Sequence, residues 1–379
     1  MTFVLPTLDS SGMSTVVVNI ANALSRRGYE TDILVIGSGA NPYGYKFGKN
    51  ARVIALNATY PWSHSAPFLF FLASFFEITP SLRLYFLKRQ PRVAFLSFYI
   101  SPILFYKKYL TPPTKYVVIE HAFFEKDVVD SYGLLKAPFI KAVCKYFYKK
   151  ADVLAGVSKG VADGLSRRGV SARLGVRHLY NPVVTEKTFE RMRALPKHPW
   201  LVDKSTRVVV SVGRLALQKD YATLLKAFSI VRETEDARLV IFAEGPERAN
   251  LEALRSDLGL DSCVSMPGFT PNPLAEVATA DVFVLSSIFE GLPTVLIEAV
   301  ACGVTCVSTD CPGGSSEILE SGKYGYLVPP RSPEALAQGI VQGLKKPFSA
   351  DILKHRANDF SDDKAAQAYI DLINELERS

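Results

Sequence analysis

The feature that most constrains the fold is an alternation of short apolar runs with amphipathic stretches, which occurs in both halves of the chain. Strands are expected at 2–7, 31–36, 52–56, 93–98, 115–120, 152–156, 176–180, 207–212, 238–243, 263–266, 281–285, 304–308 and 326–328. Helices are expected near 13–27, 66–88, 134–150, 158–167, 219–232, 246–258, 272–279, 293–302, 314–320 and 333–345. This alternation is typical of parallel sheets covered by helices on both faces. The sequence therefore predicts an α/β protein with two doubly wound, Rossmann-like domains.

Length and composition agree with two such domains. The chain has 379 residues, of which 48% are hydrophobic and 21% charged, and a chain of this length suggests about two domains. The segment from Asn181 to Trp200 has several prolines and no strong strand pattern, so we place the hinge there. The expected domains are 1–182 and 183–362, with a final amphipathic helix at 363–379. Because such sheets bind ligands at the carboxyl ends of their strands, we expect both domains to face one central cleft.

The net charge of +7 favours anionic partners such as nucleotides, phosphorylated lipids or an acidic membrane face. The basic residues are scattered and accompany no nucleic-acid motif, so nucleic acid is not an expected partner. The five cysteines have neither a disulfide framework nor zinc-site spacing, which predicts buried thiols in a reducing cytosol. The start of the chain is typical of a strand rather than a signal peptide. The longest apolar run, 66–76, is shorter than the roughly 20 residues that span a bilayer.

The most informative stretch is 287–303, in which Glu290 and Glu298 bracket a turn that leads into an apolar helix. The turn residues are Gly291, Leu292, Pro293 and Thr294. Pro293 suits the first helical position, and the free backbone N–H groups of a helix start form an anion site. The two carboxylates can accept hydrogen bonds from hydroxyl groups. Phosphates between two hydroxyl-rich ends describe a nucleotide-sugar; the plain alternative is a strand, loop and helix with two surface glutamates.

A second cluster opens the second half of the chain. Gly213 ends an apolar strand, Arg214 follows, and Lys219 lies five residues further on. Both cations could reach a pyrophosphate and neutralise the charge that develops as a glycosidic bond breaks. The plain alternative is an exposed arginine and lysine on a solvated loop.

These two stretches resemble the motifs of the retaining glycosyltransferases of family 4, which have the GT-B fold. The carboxylates match the family's Glu-x7-Glu motif, and the residues from Gly213 to Lys219 match its Gly-Arg-Leu-x-x-x-Lys pattern. The resemblance is strong over 207–345, moderate over 1–27 and 115–182, and absent over about 37–112. It implies that 1–182 is the acceptor-side domain, that 183–362 binds the nucleotide-sugar, and that the helix at 363–379 returns to the first domain.

The resemblance implies roles for these residues. Glu290 would hold hydroxyls of the donor sugar, and Glu298 the ribose. Arg214, Lys219 and the backbone of the Gly291–Thr294 turn would hold the diphosphate.

Further sites are implied at other strand ends. Gly268 and Phe269 would read the nucleotide base, and Gly12 would present a backbone N–H to a phosphate. His121 would polarise a sugar hydroxyl, and the adjacent Glu120 is a weaker candidate. Ala243 replaces a glycine that the family usually has and that would allow the backbone to approach a ligand closely, so this turn is either a ligand site or a structural turn.

Aromatic and basic residues are interspersed over 60–110 and 132–150. This pattern suits the face of an anionic membrane, or a core helix with a solvated edge.

The predicted function is retaining transfer of a hexose-type sugar from a nucleotide-sugar to an acceptor hydroxyl, in polysaccharide or cell-envelope biosynthesis. UDP is the expected nucleotide because it is common in the family, and a lipid-linked or cell-surface glycan precursor is the expected acceptor. No Asp-x-Asp metal motif is present, so we expect neither a divalent metal nor a cofactor. The expected location is cytoplasmic, with peripheral association at the inner face of the plasma membrane. Two alternatives stay open: a nucleotide-sugar epimerase of the same fold, and a non-catalytic membrane-docking subunit.

Overall fold

The computed structural model describes residues 1–9, 12–41, 44–58, 80–97, 104, 114–121, 137–139, 141–142, 144–167 and 169–379. The chain divides into two compact units. Unit 1 comprises Met1–Pro182 and Asp362–Ser379, and unit 2 comprises Val183–Ser361. The helix expected at 66–88 lies outside the described residues up to position 79, and so does part of the helix expected at 134–150.

Unit 1 is built on a parallel sheet of seven strands in the order β3-β2-β1-β4-β5-β6-β7. The strands are β1 (Thr2–Leu5), β2 (Thr31–Val35), β3 (Ala51–Ala55), β4 (Val93–Ser97), β5 (Lys115–Glu120), β6 (Val153–Gly156) and β7 (Val176–His178). Its described helices include α1 (Gly12–Arg26), α2 (Lys159–Arg167) and α12 (Asp362–Arg378), and residues 80–89 are helical too. The order reverses direction between β1 and β4, which makes this pair the switch point of a doubly wound sheet.

Helix α12 completes the core of unit 1. The ring of Tyr369 lies 5.9 Å from that of Phe3 and 5.1 Å from that of Phe95, which themselves stack at 4.8 Å. Ion pairs at the surface of the same helix join Arg26 to Asp362 at 2.5 Å and other arginines to its acidic residues. Aromatic packing of this kind stabilises through buried apolar area, whereas the exposed ion pairs contribute little.

Unit 2 contains a parallel sheet of six strands in the order β10-β9-β8-β11-β12-β13. The strands are β8 (Arg207–Arg214), β9 (Ala237–Glu244), β10 (Val264–Ser265), β11 (Val282–Leu285), β12 (Thr305–Thr309) and β13 (Tyr326–Val328). The helices are α3 (Glu186–Met192), α4 (Pro199–Val202), α5 (Tyr221–Arg232), α6 (Arg248–Asp257), α7 (Pro273–Val277), α8 (Thr294–Cys302), α9 (Ser315–Ile318), α10 (Pro333–Lys345) and α11 (Ala350–Ala357). The switch point of this sheet lies between β8 and β11.

All thirteen predicted strands are present, so the alternation of apolar runs predicted both sheets correctly. Helices α3, α4 and α11 were not predicted. Helix α3 begins with a reciprocal cap between the Thr185 and Thr188 side chains and backbone, and α4 begins at Pro199 after the His198 side chain caps it. Local caps such as these can start a short helix that has no long apolar period.

Candidate active site

The candidate site in unit 2 lies at the carboxyl ends of strands β8 and β11. Strands β8 and β11 are hydrogen-bonded neighbours at the switch point, with Val209 opposite Val282 and Val210 opposite Phe283. Their carboxyl ends therefore emerge side by side, at the crevice where doubly wound sheets bind ligands. The turn after β8 carries Lys219, and the loop after β11 carries Glu290.

Lys219 and Glu290 form an ion pair. The Lys219 Nζ lies 2.6 Å from the Glu290 Oε1, and the two side chains are only 17% and 8% exposed. Lys219 ends a 3₁₀ turn, Leu217–Lys219, and the next residue, Asp220, has a left-handed φ of +48° and caps α5. The reversal between turn and helix therefore brings the lysine to the neighbouring loop.

A second side chain donates to the same carboxylate oxygen. The Ser287 Oγ lies 2.5 Å from the Glu290 Oε1, and Ser287 is fully buried. Within the described residues, the second oxygen, Oε2, accepts no hydrogen bond. Glu290 thus keeps one acceptor available for a ligand.

Backbone contacts fix the two loops against each other. The Ile288 N–H donates to the Gln218 carbonyl at 2.8 Å, and the Gln218 side-chain amide donates back to the Phe289 carbonyl at 2.9 Å. The Ser286 hydroxyl donates to the Lys219 carbonyl at 2.7 Å. Hydrogen bonds therefore join the two loops that carry the ion pair, so Lys219 and Glu290 are held at a fixed separation.

Glycines allow a close approach on both sides of the ion pair. Gly313 has a φ of +129°, and a Cβ at this position would overlap the Glu290 carbonyl oxygen. A Cβ on Gly213 would lie 2.7 Å from the Tyr221 hydroxyl and 3.7 Å from the Lys219 Cε. Burial raises the pKa of Tyr221, and the Glu290 carboxylate raises it further, so this phenol stays neutral.

The turn into α8 differs by one residue from the prediction. Helix α8 begins at Thr294, and Pro293 is its cap, with extended backbone and no side-chain hydrogen bond to the helix start. Pro293 is therefore not the first helical residue; a ψ of 99° takes it out of the helical region. Gly291, Leu292 and Pro293 are buried, and Thr294 is half-buried.

Glu298 lies on α8 and is half-buried. It makes no hydrogen bond or ion pair with any residue that the structure describes. Burial raises the pKa of its carboxyl to about 7, although Arg191 acts in the opposite direction. The group is therefore close to half-ionised at neutral pH, when no ligand is bound.

Arg214 is the last residue of β8, and the base-reading candidates follow β10. Arg214 is exposed, and no ion pair holds it among the described side chains. Gly268 has a φ of +92°, and a Cβ there would lie 2.7 Å from a Glu244 carboxylate oxygen. Phe269 is 81% exposed, so its ring is available for stacking. Ala243, which replaces a glycine of the family, is buried in β9 opposite Gly213.

The Arg248 guanidinium holds the loop of Gly268 in place. Its donors reach both carboxylate oxygens of Glu244, one oxygen of Glu252, and the carbonyls of Ala243 and Met266. All five N–H groups are used, so the β9 turn and the β10 loop are tied together.

The candidates in unit 1 lie at or just beyond the carboxyl ends of β1 and β5. Gly12 opens α1 and is exposed, and a Cβ at this position would have no described atom within 4 Å. His121 follows β5 and is half-buried, and burial lowers its pKa to about 4. Glu120 is buried and accepts a hydrogen bond from the Tyr148 hydroxyl at 2.6 Å. Glu120 is therefore a core partner of Tyr148, which leaves His121 as the candidate at this strand end.

The sequence pattern assigned no role to four residues that build this site: Ser287, Gln218, Arg248 and Gly313. Ser287 lies three residues before Glu290, but this spacing alone does not distinguish a carboxylate partner from an ordinary loop serine. Gly313 depends on a contact with a loop more than twenty residues away, which no local pattern encodes.

Other kinds of site are absent from the described part of the chain. No three His, Cys, Asp or Glu side chains converge there as metal ligands. None of the helices found there has the length and hydropathy to cross a membrane. All five cysteines are free thiols, and four of them are buried.

Comparison with known sequences identifies the family. The profile described as "Glycosyl transferases group 1" matches residues 196–360, and that described as "Glycosyltransferase Family 4" matches residues 10–187. The chain belongs to the family 4 glycosyltransferases. The two matched ranges together include every site residue that the sequence predicted, in both units.

Two curated relatives show the range of the family. The N-acetylgalactosamine-N,N'-diacetylbacillosaminyl-diphospho-undecaprenol 4-alpha-N-acetylgalactosaminyltransferase of Campylobacter jejuni is 32% identical over 217 residues, 57% of this chain and 57% of that protein. The lipopolysaccharide 1,6-galactosyltransferase of Salmonella typhimurium is 27% identical over 184 residues, 48% of this chain and 49% of that protein. The chain thus spans about half the length of the curated relatives it matches.

Solved structures confirm the fold. Sucrose-phosphate synthase from Thermosynechococcus elongatus has a TM-score of 0.78 at 20% identity, covering 100% of this chain and 98% of that one. Anabaena HepE in complex with UDP and glucose has a TM-score of 0.72 at 15% identity, covering 99% of both chains. The family member therefore has the α/β GT-B fold that the sequence predicted.

Proposed function

We propose that this chain is a metal-independent, retaining glycosyltransferase that moves a hexose-type sugar from a UDP-sugar to an acceptor hydroxyl. The acceptor belongs to a lipid-linked or cell-surface glycan precursor in envelope polysaccharide biosynthesis. The observation that carries the proposal is the buried pair of Lys219 and Glu290 at the switch point of unit 2. A cation and a carboxylate held together beside a helix start suit a ligand that joins phosphate to hydroxyl-rich groups.

In this proposal the donor lies along the carboxyl edge of unit 2. Arg214, Lys219 and the backbone from Gly291 to Thr294 bind the diphosphate, and Glu290 accepts hydrogen bonds from sugar hydroxyls. Glu298 accepts from the ribose, and Gly268 with Phe269 receives the base. The raised pKa of Glu298 fits a carboxyl that becomes fully ionised when hydroxyl donors reach it.

The chemistry follows from that placement. The bond from the anomeric carbon to the diphosphate oxygen breaks, and its electron pair stays with the diphosphate. Arg214 and Lys219 stabilise the charge that develops there. The acceptor oxygen bonds to the anomeric carbon on the face that the diphosphate left, and its proton passes to a diphosphate oxygen. No protein nucleophile takes part, and the anomeric configuration is retained.

The acceptor side belongs to unit 1 in this proposal. His121, which burial keeps neutral near pH 7, also lies in unit 1 and hydrogen-bonds a hydroxyl of the donor sugar, and the Gly12 N–H meets a phosphate. The names of the Campylobacter and Salmonella relatives, which act on an undecaprenol diphosphate glycan and on lipopolysaccharide, support a lipid-linked or envelope acceptor. That the two domains face one central cleft stays a prediction.

The direct test is donor-dependent release of nucleoside diphosphate. We expect purified protein to release UDP from a UDP-hexose when an undecaprenyl-diphosphate glycan is added, and to do so in EDTA because side chains supply the positive charge. A donor panel should include UDP-glucose, UDP-galactose and their N-acetyl derivatives. Conversion of the donor to a different hexose without acceptor would instead establish the epimerase, and no release with any donor would favour the docking subunit.

We also propose peripheral binding to the inner face of the plasma membrane through a patch of unit 1. Phe139 and Tyr146 are 62% and 51% exposed, and Lys145 and Lys149 beside them are exposed too. The neighbouring rings of Phe147 and Tyr148 are buried, so only part of the aromatic stretch faces solvent. Exposed aromatics among lysines suit an anionic surface.

This binding can be measured by flotation with phosphatidylglycerol vesicles. The double variant Phe139→Ser with Tyr146→Ser should lose flotation, whereas Leu195→Ser, at an exposed leucine of unit 2, should keep it. Equal flotation of both variants would contradict the patch.

A further inference from the structure

Two donors of different kinds converge on one oxygen of Glu290. The Lys219 ammonium and the Ser287 hydroxyl both reach Oε1, at 2.6 Å and 2.5 Å. The other oxygen, Oε2, has no partner in the described part of the chain. The carboxylate is therefore held in one orientation, with a single oxygen left for a ligand.

The two donors differ in how firmly they can hold that orientation. A lysine ammonium sits at the end of a flexible four-carbon stem, and an arriving diphosphate competes for its charge. The Ser287 hydroxyl has one short torsion, and its residue is fully buried. The Ser287 carbonyl also accepts from the Thr309 hydroxyl at 2.5 Å, so the backbone that carries the serine is fixed.

We propose that Ser287 is a positioning residue, which keeps Oε1 of Glu290 occupied so that Oε2 meets the donor sugar when Lys219 turns to the diphosphate. The inference rests on the proposed function and deepens it, because it concerns how the same carboxylate is oriented. Without Ser287, the Lys219 ammonium is the remaining donor to the nearly buried Glu290 carboxylate. The diphosphate then competes with this carboxylate for the same ammonium. Glu290 can then rotate, and fewer bound donors are aligned for reaction.

The test compares Ser287→Ala with Ser287→Cys, which keeps the size and a weak donor. We expect kcat to fall by about tenfold to a hundredfold in the alanine variant, the range expected for a lost hydrogen bond to a charged group, and by less in the cysteine variant. The affinity for UDP, which lacks the sugar, should change by less than about twofold.

A double-mutant cycle separates positioning from a general loss of packing. In a Glu290→Gln background, Ser287→Ala should reduce the remaining kcat by less than about threefold, because its partner is already altered. The matched control is Ser308→Ala, which removes an equally buried hydroxyl that donates to a backbone carbonyl. It should keep kcat near the wild-type value.

The outcomes separate failure of the proposed function from failure of the positioning role. If the wild-type chain releases no nucleoside diphosphate from any donor, the proposed function fails and this inference fails with it. If the wild type is active and the Ser287→Ala and Ser308→Ala variants have the same kcat, only the positioning role is overturned. A loss that persists undiminished in the Glu290→Gln background overturns the positioning role as well. Should the alanine variant fail to fold, the cycle is run with Ser287→Cys, and a loss of kcat that is equally large in the wild-type and Glu290→Gln backgrounds overturns the positioning role.

Discussion

The carboxyl edges of the two sheets are built differently, although both sheets have a doubly wound order. In unit 2, the loops after β8 and β11 share backbone hydrogen bonds and an ion pair, and two glycines beside them, Gly213 in β8 and Gly313 after β12, have no room for a Cβ. In unit 1, a Cβ on Gly12 would meet no described atom within 4 Å, and His121 follows its strand without such a clamp in the described residues. The edge in unit 2 is therefore organised before any ligand arrives, which is what electrostatic stabilisation of a leaving diphosphate requires.

The largest effect is expected from filling the space beside Glu290. Gly313→Ala would place a Cβ on the Glu290 carbonyl at a φ of +129°, so the loop must move. We expect transfer to fall by more than a hundredfold and the unfolding free energy to fall by about 2–4 kcal/mol. Steady-state kinetics and thermal unfolding measure the two changes.

The matched change in unit 1 is Gly12→Ala, whose Cβ would meet no described atom within 4 Å. Its unfolding free energy should stay within about 0.5 kcal/mol of wild type. If Gly313→Ala and Gly12→Ala lowered the unfolding free energy equally, the contrast between the two sites would be wrong.

The next effect separates a paired cation from an exposed one. Lys219→Ala and Arg214→Ala should each lower kcat/KM. The expected loss of transition-state stabilisation is about 2–4 kcal/mol for each. Only Lys219→Ala should also lower the unfolding temperature, because it leaves the nearly buried Glu290 carboxylate without its ion-pair partner. A Lys219→Ala enzyme with wild-type turnover would contradict its role at the diphosphate.

A smaller effect concerns pH. The folded-state pKa of Glu298 is raised from 4.5 to about 7, so its contribution makes the fold less stable as pH rises through that window. His121 has the opposite sign, because its folded-state pKa is lowered from 6.5 to about 4 and stability is lost as pH falls through that range.

The Glu298→Gln variant isolates the titration of Glu298. Glu298→Gln should abolish the loss of stability between pH 4.5 and 7, measured by chemical denaturation across that range. It should also weaken UDP binding at pH 8, where the wild-type carboxylate is ionised, and remove the decline of UDP affinity towards pH 6. An unchanged pH dependence of both quantities would rule out Glu298 as the ribose acceptor.

The smallest effect is expected at Ala243. Restoring the family's glycine by Ala243→Gly should lower the unfolding free energy by about 0.5–1 kcal/mol, because glycine weakens a strand interior. The Kd for UDP should stay within about twofold, since the Ala243 methyl group is buried. A markedly tighter Kd would show that this methyl group keeps the backbone away from the nucleotide.

The sequence was most informative where local pattern and tertiary structure coincide. Buried strands appear as apolar runs, and the spacing of Glu290 and Glu298 follows from a strand, turn and helix that are contiguous in the chain. The helix α3 was missed because its start depends on a threonine pair rather than on apolar periodicity. The sharing of one Glu290 oxygen by Lys219 and Ser287 could not be read from spacing, because it depends on the pairing of two separate loops.

The position of α12 has a consequence for how the protein is made. Tyr369 packs beside Phe3 and Phe95. The whole of unit 2 lies between Phe95 and Tyr369 in the sequence and is therefore synthesised before Tyr369. A nascent chain therefore carries a first sheet with an uncovered aromatic surface until the ribosome has passed position 369, while the second sheet can already close. Chaperone engagement of paused nascent chains should consequently concentrate on the earlier half and end abruptly once α12 has emerged.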